Sequence, residues 1–174
     1  MSQLIKSEPQ GLSSIQELVK EDVDLVATEL RRIVVSDFEL IDQVNEHLFL
    51  TRGKLFRPTL VLLSSRVGDE ASDEALTLAA VVELVHLATL VHDDAVDHSV
   101  LRRGLPTVNV AWTHQIAIIM GDYLYSRGVT ELAKLGNLPA LEVLAQAANE
   151  MAVGEMRQLR LTMHSASERM TTIG

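Results

Sequence analysis

An all-α domain is the fold class this chain predicts, and three observations carry the prediction. Apolar residues recur at the three- and four-residue spacing of buried helix faces, and no alternating β run appears. Hydroxyls and prolines that start helices alternate with glycines that end them. With 174 residues and a 47% hydrophobic content, the chain is long and apolar enough to bury one core. A single domain over 1–174 with a loose arm at 1–11 is expected.

The elements follow in order. Ser13 with Gln16, and Ser36 with Glu39, have the spacing of a capping box, in which a hydroxyl and a reaching side chain satisfy free amides at a helix start. After the first, Ile15, Leu18, Val19, Val26, Leu30 and Ile33 share a helical face, and after the second Ile41, Val44 and Leu48 do so. In TRGKLFRP at 51–58, Gly53 permits a turn and Pro58 suits the first turn of a helix carrying Leu60, Leu62 and Leu63. Gly68 ends that helix. Ser72, Asp73 and Glu74 supply the cap and acidic first turn of a long apolar helix reaching Asp97 or His98. RRGLP makes a loop, Thr107 caps a helix through Trp112 towards Gly136, and Pro139 opens a last helix to about Met163. Met and Leu positions within 141–163 are read as core or dimer packing.

Composition excludes several functions. A net charge of −9 and 3% aromatic residues argue against general nucleic-acid binding, which favours basic stripes and stacking platforms. The absence of cysteine removes disulfides, thiolate nucleophiles and cysteine-ligated zinc, and fits a reducing cytoplasm. MSQLIKSEPQG lacks the pattern of a signal peptide. The longest apolar run, ALTLAAVVELVHLATLV at 75–91, contains Glu83 and His86 and meets three aspartates. It falls short of the roughly 20 residues of a membrane span. A buried core helix is expected there, not a span.

Charge gathers in HDDAVDHSVLRRGLPTVN, residues 92–109. Asp93 and Asp97 lie four apart on one helix face, with Asp94 beside them, at a helix end whose partial negative charge repels carboxylates. Such a cluster asks for a cation. Hard oxygen ligands suit Mg2+, which keeps waters and bridges carboxylates to phosphates, and Arg102 and Arg103 offer guanidinium forks for phosphate oxygens. For an arbitrary D-D-x-x-D, a solvated acidic helix end with surface ion pairs is the better bet. His86 alone would more often be a satisfied core histidine, and Glu83-x-x-His86 also fits half of a di-iron bundle, although no second Glu-x-x-His occurs.

The surrounding text changes those odds. GKLFRP at 53–58, ELVHLATLVHDDAVDHSVLRRGLPTVN at 83–109, GDYLYSRG at 121–128 and EVLAQAANEMAVGEMRQL at 142–159 resemble, in order and spacing, the blocks of the trans-type isoprenyl diphosphate synthases, the polyprenyl synthetase family. The resemblance implies a helical bundle of the isoprenoid synthase type that condenses isopentenyl diphosphate with an allylic diphosphate. Position by position, it implies that Asp93 and Asp97 hold Mg2+ for the allylic diphosphate, with Asp94 supporting them as part of the catalytic set. Arg102 would contact that diphosphate, and Lys54, Arg57, His86 and Arg103 would bind isopentenyl diphosphate. Small residues at Ala88 and Thr89, a turn before the aspartates, look like those of long-chain members that make quinone side chains, because bulk there closes the product cavity early. Helix packing explains the same two residues.

The chain departs from the family in two ways. Thr51 and Arg52 replace loop glycines and Leu55 replaces a basic residue. Family members also run to roughly twice this length, with a Lys-Thr element and a second aspartate-rich motif, for which HSASERMTTIG at 164–174 has no counterpart. The expectation is therefore an N-terminal half whose C-terminal helices are missing, weakly active or inactive alone. A subunit of a heteromeric synthase, or a regulatory diphosphate-binding protein, is the alternative. A homodimer is expected, with Ile116, Ile118, Ile119 and Met120 offering surface, or a heteromer with a chain carrying the second motif.

Overall fold

A computed structural model of the chain describes residues 11–50, 53–67 and 74–171, with side chains through Leu161 except that of Ser13. The loose arm, Thr51, Arg52, Gly68 and the cap at Ser72 and Asp73 lie outside the described residues. Contacts gather into two units, Met1–Leu135 and Gly136–Gly174.

Among the described residues, the first unit is helical except for one short hairpin and the connecting turns. Helix α1 spans Leu12–Gln16, a 3-10 turn follows at Glu17–Val19, and α2 spans Lys20–Ile33. The sequence predicts one helix here. Val19, Val26, Leu30 and Ile33 are buried as its spacing requires, but Leu18 is exposed, because the 3-10 turn rotates it off the apolar face. The capping reading of Gln16 is corrected as well: its amide donates to Lys54 O and Thr59 Oγ1, on a different segment. Helix α3 (Glu39–Leu50) begins after Ser36, whose hydroxyl accepts the Phe38 amide proton.

Helix α4 (Phe56–Ser65) carries Pro58 in its first turn, as predicted. The residue before it, Leu55, is left-handed at φ 50°, ψ 38°. Helix α5 (Ala75–Val96) is the centre of the unit, burying Ala79, Ala80, Val81, Leu84, Val85, Ala88, Val91 and Ala95 against α2, α4 and α7 (His114–Leu135). By length and composition it could cross a membrane, yet these residues face protein. Its seam with α7 is close: a Cβ on Gly128 would stand 3.2 Å from Val85, and one on Gly121 would collide with the His92 ring.

RRGLP forms a hairpin, where the sequence predicts a loop. Strands β1 (Leu101–Arg102) and β2 (Leu105–Pro106) pair antiparallel, and Arg103 (φ 52°) and Gly104 (φ 83°) make the two-residue turn whose twist suits such strands. Thr107 precedes α6 (Val108–Ala111), but its hydroxyl donates to Ser99 O instead of capping the helix. The helix expected to run through Trp112 breaks there at φ −125°, ψ −105°, and α7 restarts at His114.

The second unit is one helix, α8 (Leu138–Thr171), entered through Gly136 at φ 67° and capped by Asn137, whose Oδ1 accepts the Ala140 amide proton at 3.0 Å. It continues past Met163 because no breaker intervenes. Met151, Met156, Leu159 and Leu161, expected in a core or dimer seam, are exposed on it.

Candidate active site

The C-terminal end of α5 holds the acidic half of the site. The helix closes with the Ser99 amide on Asp94 O (3.0 Å) and the His98 amide on Ala95 O (3.4 Å), with His98 in the left-handed region at φ 52°. This leaves Asp97 as the C-cap residue, one turn beyond Asp93. The compensation that the helix end requires arrives through the hairpin. Arg102 donates from Nε and Nη2 to the two carboxylate oxygens of Asp94, at 2.7 and 2.9 Å, and the Asp94 side chain is 8% exposed.

That pairing separates the three aspartates. Asp94 is committed to Arg102, whose guanidinium it holds protonated more firmly than usual. Among the described residues, Asp93 and Asp97 have no side-chain hydrogen bond or ion pair. Burial first, and then the Asp97 carboxylate, push the Asp93 carboxyl above its ordinary range. The described residues bring no three metal-binding side chains together. The donor set is thus two hard carboxylates one helical turn apart, which fits an ion that keeps waters and takes its remaining oxygens from a ligand.

The cationic half faces an open pocket of about 550 Å3, lined by Gly53, Lys54, Leu55, Phe56, Arg57, Glu83, His86 and Arg103. All four side chains expected to share a site are therefore brought together. Lys54 comes from the loop before α4, Arg57 from its first turn, His86 from α5 and Arg103 from the hairpin turn. The Arg103 guanidinium lies against Gly53, where a Cβ would stand 2.8 Å from both its terminal nitrogens and oblige that flexible end to shift. Burial, reinforced by Arg57, Arg103 and Arg102, holds the His86 imidazole below its ordinary pKa and so neutral near pH 7. A narrower apolar cleft adjoins it, lined in part by Leu30, Leu48, Phe49, Leu87 and Leu90.

Thr89 is half-buried, its hydroxyl bound to His86 O at 2.8 Å, and helical spacing places it on the face of His86 and Asp93. Ala88 is 1% exposed and shares the face of Val81, Val85 and His92, which turns to α7. Residues that sequence reasoning missed include Glu83 as part of the pocket wall, Gly121 as the socket for His92, and Asp122, 3.3 Å from His92 Nε2. The Gly-Asp pair was visible as a motif, but its partner is 29 residues earlier, beyond any local pattern.

The fold and the site together define an all-α protein in which two open carboxylates and a cationic pocket meet on one helix. The model of the family described as polyprenyl synthetase matches residues 38–173, and the chain belongs to that family. It is 37% identical over 149 residues to a heptaprenyl diphosphate synthase component 2 of Geobacillus stearothermophilus, covering 86% of this chain and 47% of that protein. The octaprenyl diphosphate synthase of Escherichia coli (strain K12) is 36% identical, with 86% and 46% covered. A polyprenyl synthase from Caulobacter crescentus CB15, crystallised with calcium and isoprenyl diphosphate, has a TM-score of 0.82 at 33% identity, covering 88% of this chain and 47% of that one. The chain thus spans about half the length of the relatives it matches. Those relatives are polyprenyl diphosphate synthases, which are prenyltransferases.

Proposed function

We propose that the chain carries the diphosphate-binding face of a trans-prenyltransferase that joins isopentenyl diphosphate to an allylic diphosphate and builds a polyprenyl diphosphate. The observation that carries this reading is the convergence of Lys54, Arg57, His86 and Arg103 on one pocket, beside the open carboxylates Asp93 and Asp97. Isopentenyl diphosphate binds in the cationic pocket, where Lys54, Arg57 and Arg103 neutralise it and His86 completes the hydrogen bonding. Asp93 and Asp97 would hold Mg2+ together with the allylic diphosphate. When bound, the ion supplies positive charge where the departing diphosphate becomes negative.

Asp94 orients Arg102. Two of the five guanidinium N–H groups are used on the carboxylate, and three remain for the allylic diphosphate. In the reaction the allylic C–O bond breaks, the alkene carbon of isopentenyl diphosphate attacks the resulting cation, and a proton is lost. The protein's part is to orient both diphosphates, stabilise the leaving charge and exclude water. The small side chain of Thr89, on the face of Asp93, favours a long prenyl product, whereas Ala88, also expected to set chain length, is packed against α7.

A second reading is favoured by one observation: the Geobacillus relative is named as a component, so this chain would act with a partner polypeptide. Self-association into a homodimer would use Ile118 and Ile119, which are exposed on α7, whereas Met120 belongs to the core. Sedimentation at several concentrations distinguishes these states.

Calorimetric titration tests the main reading. The chain should bind isopentenyl diphosphate without metal and a prenyl diphosphate with Mg2+, both at once. Competition of the two for one site, or binding of neither, would overturn it. Turnover of the 174-residue chain alone with labelled isopentenyl diphosphate should be weak or absent.

A further inference from the structure

We propose that Gln16, at the end of α1, is a positioning residue for the isopentenyl-diphosphate pocket, and this rests on the reading of that pocket given above. Gln16 lines no part of the pocket. Its side-chain amide reaches across 38 residues and donates one proton to Lys54 O at 2.8 Å and the other to Thr59 Oγ1 at 2.9 Å. Thr59 is 1% exposed, and its hydroxyl donates in turn to Leu55 O at 2.8 Å. The Thr59 backbone N–H donates to the same oxygen at 3.0 Å. Gln16 and Thr59 together therefore fix two successive carbonyls, those of Lys54 and Leu55.

The segment between them needs fixing. Leu55 occupies the left-handed region at φ 50°, an unfavourable conformation for a branched side chain. It is held there by its own burial, 7% exposed, and by the bonds on its carbonyl. Released from these constraints, the backbone would relax towards ordinary φ and swing Lys54 and the start of α4, which carries Arg57. Gln16 supplies the only side-chain bond on Lys54 O among the described residues. Lys54 O can only accept, so Gln16→Glu loses that bond, and its carboxylate can keep Thr59 only by taking the hydroxyl proton that Thr59 now gives to Leu55 O.

The test uses Gln16→Glu and the apolar Gln16→Met. Three readings are taken on the 174-residue chain: isopentenyl diphosphate binding, prenyl diphosphate binding with Mg2+, and amide hydrogen exchange over 54–60 in the ligand-free protein. Both variants should bind isopentenyl diphosphate about tenfold more weakly, as expected for a lost pair of hydrogen bonds that order a loop. Exchange at Leu55 and Thr59 should quicken, prenyl diphosphate binding should stay unchanged, and the melting temperature should fall by only about 2–6 °C, the cost of two neutral hydrogen bonds. Wild-type affinity and exchange in both variants would overturn the proposal. So would equal loss of both ligands, which is what a merely structural role gives. If the wild type itself binds no isopentenyl diphosphate, the pocket reading fails, while the exchange rates still decide whether Gln16 holds the loop.

Discussion

Two clusters of charge sit in the first unit, and they are built on opposite rules. In one, Arg32 lies between Glu29 and the buried Glu131 at 2.8 and 2.9 Å, and Lys134 reaches Glu131 at 2.8 Å. In the other, Asp93 stands beside Asp97, while Lys54, Arg57 and Arg103 surround His86. The titration behaviour divides accordingly. Arg32 holds the Glu29 carboxyl below its ordinary range, and at Glu131 the ion pairs with Lys134 and Arg32 outweigh the upward push of burial. At the site the charged forms are disfavoured: Asp93 is pushed up and His86 down. Charge that is satisfied inside the protein holds helices together, whereas Asp93 and His86 lie where burial and neighbouring like charge oppose their charged forms, a pattern common at functional sites.

The comparison can be broken experimentally, with the largest effect expected at the acidic half. Asp93→Asn should weaken Mg2+-dependent prenyl diphosphate binding at least about tenfold without loss of stability, because it removes a like-charge neighbour as well as a ligand. A large fall in melting temperature would show that Asp93 is structural after all. Glu131→Gln should do the reverse, costing about 1–2 kcal/mol of stability in denaturant titration while leaving diphosphate binding intact. The value is set below that of a fully buried pair because the Arg32 side chain is 51% exposed.

His86 gives a smaller, pH-dependent effect. Its folded pKa lies below its ordinary value, so the unfolded state binds the proton first as pH falls. The contribution to stability is complete above the ordinary value of about 6.5 and is lost as pH drops below it. A bound diphosphate reverses the preference and should draw in a proton on the acidic side of neutrality. Calorimetry in two buffers of different ionisation enthalpy detects that uptake, and His86→Gln should abolish it. Smallest of all is the exposed pair of Arg31 with Glu46, where Glu46→Gln should change stability by at most about 0.5 kcal/mol.

Much of this was legible in the sequence, for reasons that also explain the rest. Helical spacing found the buried face of α2, and Val44 and Leu48 on α3, because burial repeats with the helix turn, while the length of its apolar run marked α5 as buried. Lys54, Arg57, His86 and Arg103 were found through their motifs, and the structure does gather them on one pocket. What escaped depends on distant partners. Ser13 and Gln16 satisfy a local capping pattern, but the Gln16 amide finds acceptors on another segment. Leu55 and His98 take left-handed conformations usually given to glycine. Burial anchors Leu55, and the helix-closing bonds of α5 hold His98. The hairpin strands are two residues each, too short for alternation to register. The Arg102–Asp94 pair answers a demand the sequence posed without saying which aspartate would be met.

The most direct test of the account sets the two clusters against each other in one titration. Isopentenyl diphosphate is added without metal to the wild-type chain, to Glu131→Gln and to Arg57→Ala. The account predicts equal affinity for the first two and binding about thirtyfold weaker for Arg57→Ala, the loss expected when one charge-assisted phosphate contact is removed. Equal affinity in all three, or as great a loss in Glu131→Gln as in Arg57→Ala, would contradict it.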